Sequence, residues 1–281
     1  MSQVAIITGG TSGIGLDVAR KLGESGAWHV HIIGSSSQRG REAASSVPNT
    51  TYNQADVRNY PELAKTFARV FAESGRIDFV FVNAGVAESH DFFAPHTEAD
   101  LPPEPPIGLI RINLDGAMNT AYLAMHYFRR SPILAPGMKN LIFTASIGGL
   151  YPCALTPVYS ATKHGIVGFA RSIADKLWGE GVRVNTICPG VVKTPLFTDD
   201  FEGVFPKEVE IPIHIVTNLI LSLLTGDEMV DAKGCAVPSN ALFSKTLHIS
   251  GEKFYFIDQP EFHDEQGRLT WKAMMDRWDK T

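Results

Sequence analysis

Short apolar runs rich in β-branched residues recur along the chain, and between them the apolar positions fall at helical spacing. Val4 to Thr8 is such a run; it ends in glycines, and Ile14 to Leu22 then shows helical periodicity. His29 to Ile33 predicts a second strand, followed by a turn at Ser35–Ser37 and a short helix from about Gln38 to Ser46. A strand near Thr51 to Ala55 leads into a helix over Tyr60 to Glu73, where Leu63, Phe67, Val70 and Phe71 share one stripe. Ile77 to Val82 is a continuous apolar run, the mark of a strand covered on both faces. Helical spacing resumes from about Ile107 to Arg130, then come a strand at Asn140 to Ala145, a helix at Val158 to Trp178 and a strand at Val182 to Cys188. Strands alternating with helices imply right-handed crossovers, hence an α/β, doubly wound parallel sheet of about seven strands with helices on both faces.

Two segments break the pattern. Glu88 to Pro106 holds five prolines among acidic residues, cannot be one helix, and reads as a surface insertion. Beyond Pro189 the order weakens: Thr194 to Glu208 is irregular, Ile213 to Leu224 is helical, and either Lys245 to Ile249 or Phe254 to Ile257 supplies a final strand. A tail begins at about residue 260, with Trp271, Met274, Met275 and Trp278 at helical spacing for docking on the body or a partner. With no repeat or linker, residues 1–281 read as a single domain.

Composition narrows the function classes. The 281 residues are 44% hydrophobic and 20% charged, enough for a sizeable core. A net charge of −5 without a basic block argues against nucleic acid or an acidic membrane and leaves a small molecule as partner. Cys153, Cys188 and Cys235 are too scattered for a disulfide framework or zinc site, and His90, His96, His164, His214 and His263 lack ligand spacing, so no metal is expected. The opening residues carry no secretory pattern, and the longest apolar runs fall far short of the ~18 residues of a membrane span. A cytoplasmic location is the expectation.

Two stretches carry chemistry. Thr8 to Gly15 reads TGGTSGIG; between a strand and a helix, Gly9, Thr11, Ser12, Gly13, Ile14 and Gly15 can turn backbone N–H groups and the helix N-terminus toward a pyrophosphate. A flexible glycine-rich turn accounts for the pattern in isolation. In the second stretch, Ser146 to Lys163, Tyr159 and Lys163 lie four residues apart and share a helix face. A lysine one turn away stabilises a phenolate, which makes the pair a general acid/base unit. Taken alone, the pair also suits an ordinary amphipathic helix.

The glycine motif, Asn83-Ala84-Gly85, a lone Asn113, Ser146, Tyr159-x-x-x-Lys163 and Pro189-Gly190 occur in the order and roughly the spacing of the short-chain dehydrogenase/reductase family, which this chain resembles from Val4 to about Thr194. PVYSATKHGIVGFARS, GVRVNTICPGVVKT and IPIHIVTNLILSLL are most similar to the 15-hydroxyprostaglandin dehydrogenase-like subgroup. The resemblance implies a Rossmann-type fold and an NAD(P)-dependent oxidoreductase interconverting a secondary alcohol and a ketone on a mostly apolar molecule. It also implies roles: Tyr159 exchanges the proton, Ser146 bonds the substrate oxygen, Lys163 holds the nicotinamide ribose and lowers the tyrosine's pKa, and Asn113 anchors a water. Asn83, Ala84 and Gly85 let the cofactor approach the backbone; Asp56 and Val57 meet the adenine; Pro189, Gly190, Val192 and Thr194 line the nicotinamide side.

The end of the second strand bears on cofactor choice. An acid there bonds the ribose 2′-OH of NAD, yet Gly34 is followed by Ser35 and Ser36, with Arg39 close behind. Hydroxyls and a guanidinium accept a 2′-phosphate, so NADP(H) is slightly favoured over NAD(H). Phe92, Phe93, Phe197, Phe201 and Phe205 are equally suited to walling an apolar substrate or pinning loops. The resemblance to the prostaglandin-type subgroup implies a polar side chain that orients the alcohol, for which Thr156 or Thr144 is the candidate. Ile166, Phe169, Ala170, Ile173 and Leu177 exceed one sheet-facing stripe, which with the family resemblance implies a homodimer or homotetramer. Imine or alkene reduction, a non-redox isomerase and a non-catalytic dinucleotide-binding scaffold are the alternatives.

Overall fold

The computed structural model describes residues 2–95, 101–132, 139–196 and 205–278. His96, Phe197 and Phe201, and part of the 88–106 insertion, lie outside the described residues. The strands β1 (Gln3–Thr8), β2 (Trp28–Gly34), β3 (Thr50–Gln54), β4 (Phe79–Val82), β5 (Lys139–Thr144), β6 (Val182–Pro189), β7 (Lys245–Ser250) and β8 (Lys253–Ile257) form one sheet in the order β8-β7-β6-β5-β4-β1-β2-β3. Every pairing is parallel except that of β8 with β7. The sheet has eight strands rather than the seven expected, because the two segments read as alternatives for a final strand both form. They make a hairpin in which Ser250 faces Lys253, and Gly251 at φ +55 takes the left-handed position that the two-residue turn demands.

Successive strand residues point to opposite faces, and both faces are covered. Val4 and Ile6 of β1 join Val80 and Val82 of β4 and Leu141 and Phe143 of β5 on one face. That side packs against α3 (Tyr60–Ser74), α4 (Gly116–Arg130) and α5 (Pro157–Gly179). Ala5, Ile7, Phe79, Phe81 and Ile142 enter the other layer, with α1 (Gly13–Glu24), α2 (Ser37–Ser45) and α6 (Ile213–Thr225). This double coverage is why β4 reads as an unbroken apolar run. A helical segment, α7 (Glu265–Trp278), follows the hairpin with Leu269, Trp271, Met274 and Met275 exposed, so these side chains do not dock on the described body.

The expected helix from Ile107 starts at Leu109 and passes through a π-helical turn, Arg111–Asp115, before α4. That widened turn carries Asn113, which is fully buried. The apolar positions on α5 are largely used by the protein itself: Ile166, Ala170 and Leu177 are buried in the core, while Phe169 and Ile173 pack partly against it.

Candidate active site

The C-terminal ends of β1, β4, β5 and β6 lie side by side and bring the predicted residues to one edge of the sheet. At the end of β1, the Thr8 hydroxyl donates to the Phe81 carbonyl (3.3 Å) and accepts from the Asn83 backbone N–H (3.1 Å). Asn83 Nδ2 donates to the Gly9 carbonyl (3.3 Å), and the Thr144 hydroxyl donates to Asn83 Oδ1 (3.0 Å). One asparagine therefore ties together the turns after β1, β4 and β5. Thr144, a candidate for orienting substrate, spends its hydroxyl on this bracket.

The glycine turn has little free space. A Cβ on Gly15 would come within 2.5 Å of the Gly9 carbonyl oxygen and 2.7 Å of Asn83 Nδ2, so the backbones meet only because residue 15 has no side chain. Gly13, at φ +53, adopts the left-handed conformation and lies against Thr194. Ser12 opens α1 without a side-chain cap, and no acid occupies the first turn. The N–H groups and positive end of the helix dipole are thus left for an anion. Thr11 lies against Gly34, which joins this turn to the end of β2. These features fit the pyrophosphate of a dinucleotide.

Beside this cradle, Ser146 follows β5 and caps a short turn, Ile147–Gly149, its hydroxyl accepting from the Gly148 N–H (3.2 Å). Tyr159 and Lys163 lie on the first turns of α5, with Lys163 Nζ 5.4 Å from the tyrosine ring centroid. Nζ donates to the Thr144 carbonyl (2.9 Å) and is buried beneath the site. Burial pulls the Lys163 ammonium down to about 8. Burial pushes the Tyr159 phenol up, against the pull of the hydrogen bond with Ser146 and with a small further rise from Cys188. At neutral pH both groups carry their protons, and the phenol is a donor. Cys188, beneath the three, has its thiol pushed by burial up to about 12 and is inert as a nucleophile there.

Asn113 faces this group through the backbone: Oδ1 accepts from the Val86 N–H (2.8 Å) and Nδ2 donates to the Val86 carbonyl (3.0 Å). The amide thereby fixes the chain just after Gly85. Pro189 and Val192 are buried at the end of β6, with Gly190 and Thr194 partly exposed beside them. A short parallel ladder joins Val191–Val192 to Glu210–Ile211.

The remaining predicted residues sit at the ends of β2 and β3 and in the insertion. Asp56 forms an ion pair with Arg58 (2.6 Å), whose hydrogen bonds hold its carboxyl below the usual range, while Asn59 rather than Asp56 caps α3. Val57 is buried against Gly116, and its carbonyl accepts from Asn119 Nδ2 (3.2 Å). At the end of β2, Ser36 caps α2 by accepting from the Arg39 N–H (3.4 Å), and Ser35 and Arg39 are exposed. Phe92 and Phe93 are exposed and pack edge to face on each other rather than walling the site. Glu88 was not foreseen: it is buried, and its carboxylate accepts from the Tyr159 backbone N–H (2.7 Å). A lone acid in an irregular stretch gave no signal of this.

Residues 3–204 match the family described as short chain dehydrogenase. The chain belongs to that family. It is 42% identical over 262 residues to the short-chain dehydrogenase/reductase prx7 of Penicillium rubens, covering 90% of this chain and 93% of the relative. It is 33% identical over 202 residues to the 15-hydroxyprostaglandin dehydrogenase [NAD(+)] of Rattus norvegicus, covering 69% of this chain and 70% of that one. Among solved structures, an actinorhodin polyketide ketoreductase with NADPH superposes at a TM-score of 0.71 and 23% identity, over 89% of this chain and 96% of the other. The protein is thus a short-chain dehydrogenase/reductase with the family's sheet. Among the described residues no helix is long and apolar enough to cross a membrane.

Proposed function

We propose that this short-chain dehydrogenase/reductase interconverts a secondary alcohol and a ketone on a mostly apolar small molecule. The observation that carries the reading is the meeting of Ser146, Tyr159 and Lys163 beside the glycine cradle. A bound nicotinamide dinucleotide supplies or accepts the hydride. Tyr159, protonated at neutral pH, gives its proton to the developing alkoxide oxygen or takes it back in oxidation. Ser146 donates a hydrogen bond to the same oxygen, and the Lys163 ammonium stabilises the phenolate left behind. Asn113 keeps the Val86 backbone, and with it the turn after Gly85, in place.

NADP(H) is the better-matched cofactor. The relatives named for NAD(+) favour NAD(H), but β2 in this chain ends in Gly34-Ser35-Ser36 with no acid to repel a 2′-phosphate, and Arg39 stands exposed nearby. The working form is a homo-oligomer built on α4 and α5, where Met118 and Tyr122 are exposed; sedimentation giving only monomer at micromolar concentration would remove this part.

The test is turnover of a panel of ketones and secondary alcohols, followed by nicotinamide absorbance with NADPH and NADH in parallel. Tyr159→Phe should lower kcat roughly 10²- to 10⁴-fold while cofactor affinity stays unchanged. Full activity in that variant would sink the mechanism.

A further inference from the structure

The first residue of the proline-rich insertion reaches the catalytic helix. Glu88 is only 5% exposed, and its Oε2 accepts the backbone N–H of Tyr159 at 2.7 Å. The start of α5 explains why such an acceptor matters. Thr156 stands at the N-cap but its side chain makes no capping hydrogen bond, and Pro157 in the first turn has no N–H. The helix therefore lacks the N-cap side-chain hydrogen bond that ordinarily satisfies a donor of its first turn. Glu88 supplies that acceptor from a distant part of the chain, and the donor it satisfies belongs to the residue whose phenol handles the proton.

We infer that Glu88 is a positioning residue: by capping the catalytic helix at Tyr159 it fixes the phenol relative to Ser146 and Lys163. The inference rests on the function proposed above for Tyr159. Two observations define what Glu88 contributes. Its second oxygen, Oε1, is buried without a hydrogen-bond partner, so an amide NH₂ in its place displaces no donor. Two residues earlier, Val86 is clamped on both sides of its backbone by Asn113, which gives the carboxylate a firm base. The chain from Asn113 through Val86 and Glu88 to Tyr159 thus links the turn after β4 to the catalytic helix.

Glu88→Ala and Glu88→Gln separate acceptor from charge. Glu88→Ala should lower kcat roughly tenfold or more, since small displacements of a reacting group are costly, with NADPH affinity by fluorescence titration unchanged. Amide hydrogen exchange in the free enzyme should rise about fivefold over residues 158–163. Glu88→Gln keeps an acceptor for the Tyr159 N–H and should restore both kcat and protection. Wild-type kcat and protection in Glu88→Ala, or a Glu88→Gln variant as impaired as Glu88→Ala, would overturn the inference. A wild-type enzyme that turns over no carbonyl or alcohol would instead overturn the proposed function, and hydrogen exchange would still decide whether Glu88 holds the helix.

Discussion

Burying Lys163 ties the stability of this enzyme to pH in a way that one substitution can isolate. The ammonium lies at 4% exposure, and burial lowers it from 10.5 in the unfolded chain to about 8. Below pH 8 both states hold the proton, and folding must bury a charge. Between pH 8 and 10.5 the unfolded chain still binds a proton that the folded protein has released, so this group's contribution to stability rises with pH. Linkage across that shift gives a penalty of about 3 kcal/mol at pH 7, falling to about 1 kcal/mol at pH 9.5. Cys188 works in the opposite direction: its thiol moves from 9 to about 12 on folding, so above pH 9 the unfolded chain loses a proton that the folded one retains, and stability falls. Tyr159, raised by burial, adds to that fall above pH 10.

Lys163→Met removes the ammonium and leaves the opposing groups in both proteins. Urea denaturation of the cofactor-free enzyme and the variant, at one protein concentration and from pH 7 to 9.5, gives the difference in unfolding free energy at each pH. The variant also loses the bond to the Thr144 carbonyl, a cost nearly constant with pH. The expected result is that its stability relative to wild type declines by about 2 kcal/mol across the range. Parallel stability curves would refute the reasoning, because Lys163 would then keep an ordinary pKa in the folded protein.

Three further outcomes test other parts of the structure. Ser36→Asp keeps an effective cap on α2 but adds an acid at the end of β2, which under the proposed function disfavours a 2′-phosphate; the ratio of NADPH to NADH affinity, measured by titration, should fall at least about tenfold. Gly15→Ala drives a methyl group against the Gly9 carbonyl and Asn83 Nδ2, and should cost about 1–3 kcal/mol in denaturation while weakening dinucleotide binding. Asp78 is fully buried, accepts from the Val4 N–H (2.8 Å) and pairs with Arg76 (2.8 Å); Asp78→Ala should lower stability by about 3–5 kcal/mol in the same measurement.

Features written in neighbouring residues were legible before the fold was known. The run Phe79–Val82 announced a strand covered on both faces because its alternate residues enter two separate apolar layers. The four-residue spacing of Tyr159 and Lys163 placed them on one face of α5, and the glycines marked a turn where Gly15 has no room for a side chain. The last two strands were harder to read. Each alone could have closed the sheet, and only the turn at Gly251 shows that they pair with each other. Apolar spacing in the tail correctly indicated a helix, but periodicity does not say what covers a face, and Trp271, Met274 and Met275 remain exposed.

Partners distant in sequence divide the residues proposed to carry the chemistry from those that hold them. Glu88 and Tyr159 are 71 positions apart, and neither sequence neighbourhood hints at their hydrogen bond. Asp56, which the family resemblance assigned to adenine, is held by Arg58 two residues on, so its first obligation in this fold is to a side chain of its own loop. A proton donor must be a residue of suitable chemistry, and its type betrays it. An acceptor for a backbone N–H can be almost any polar group within reach, so residue type alone does not reveal it. The supporting contacts of this site, from Asn83 across three turns to Glu88 at the start of α5, therefore become visible only when the strands are laid side by side.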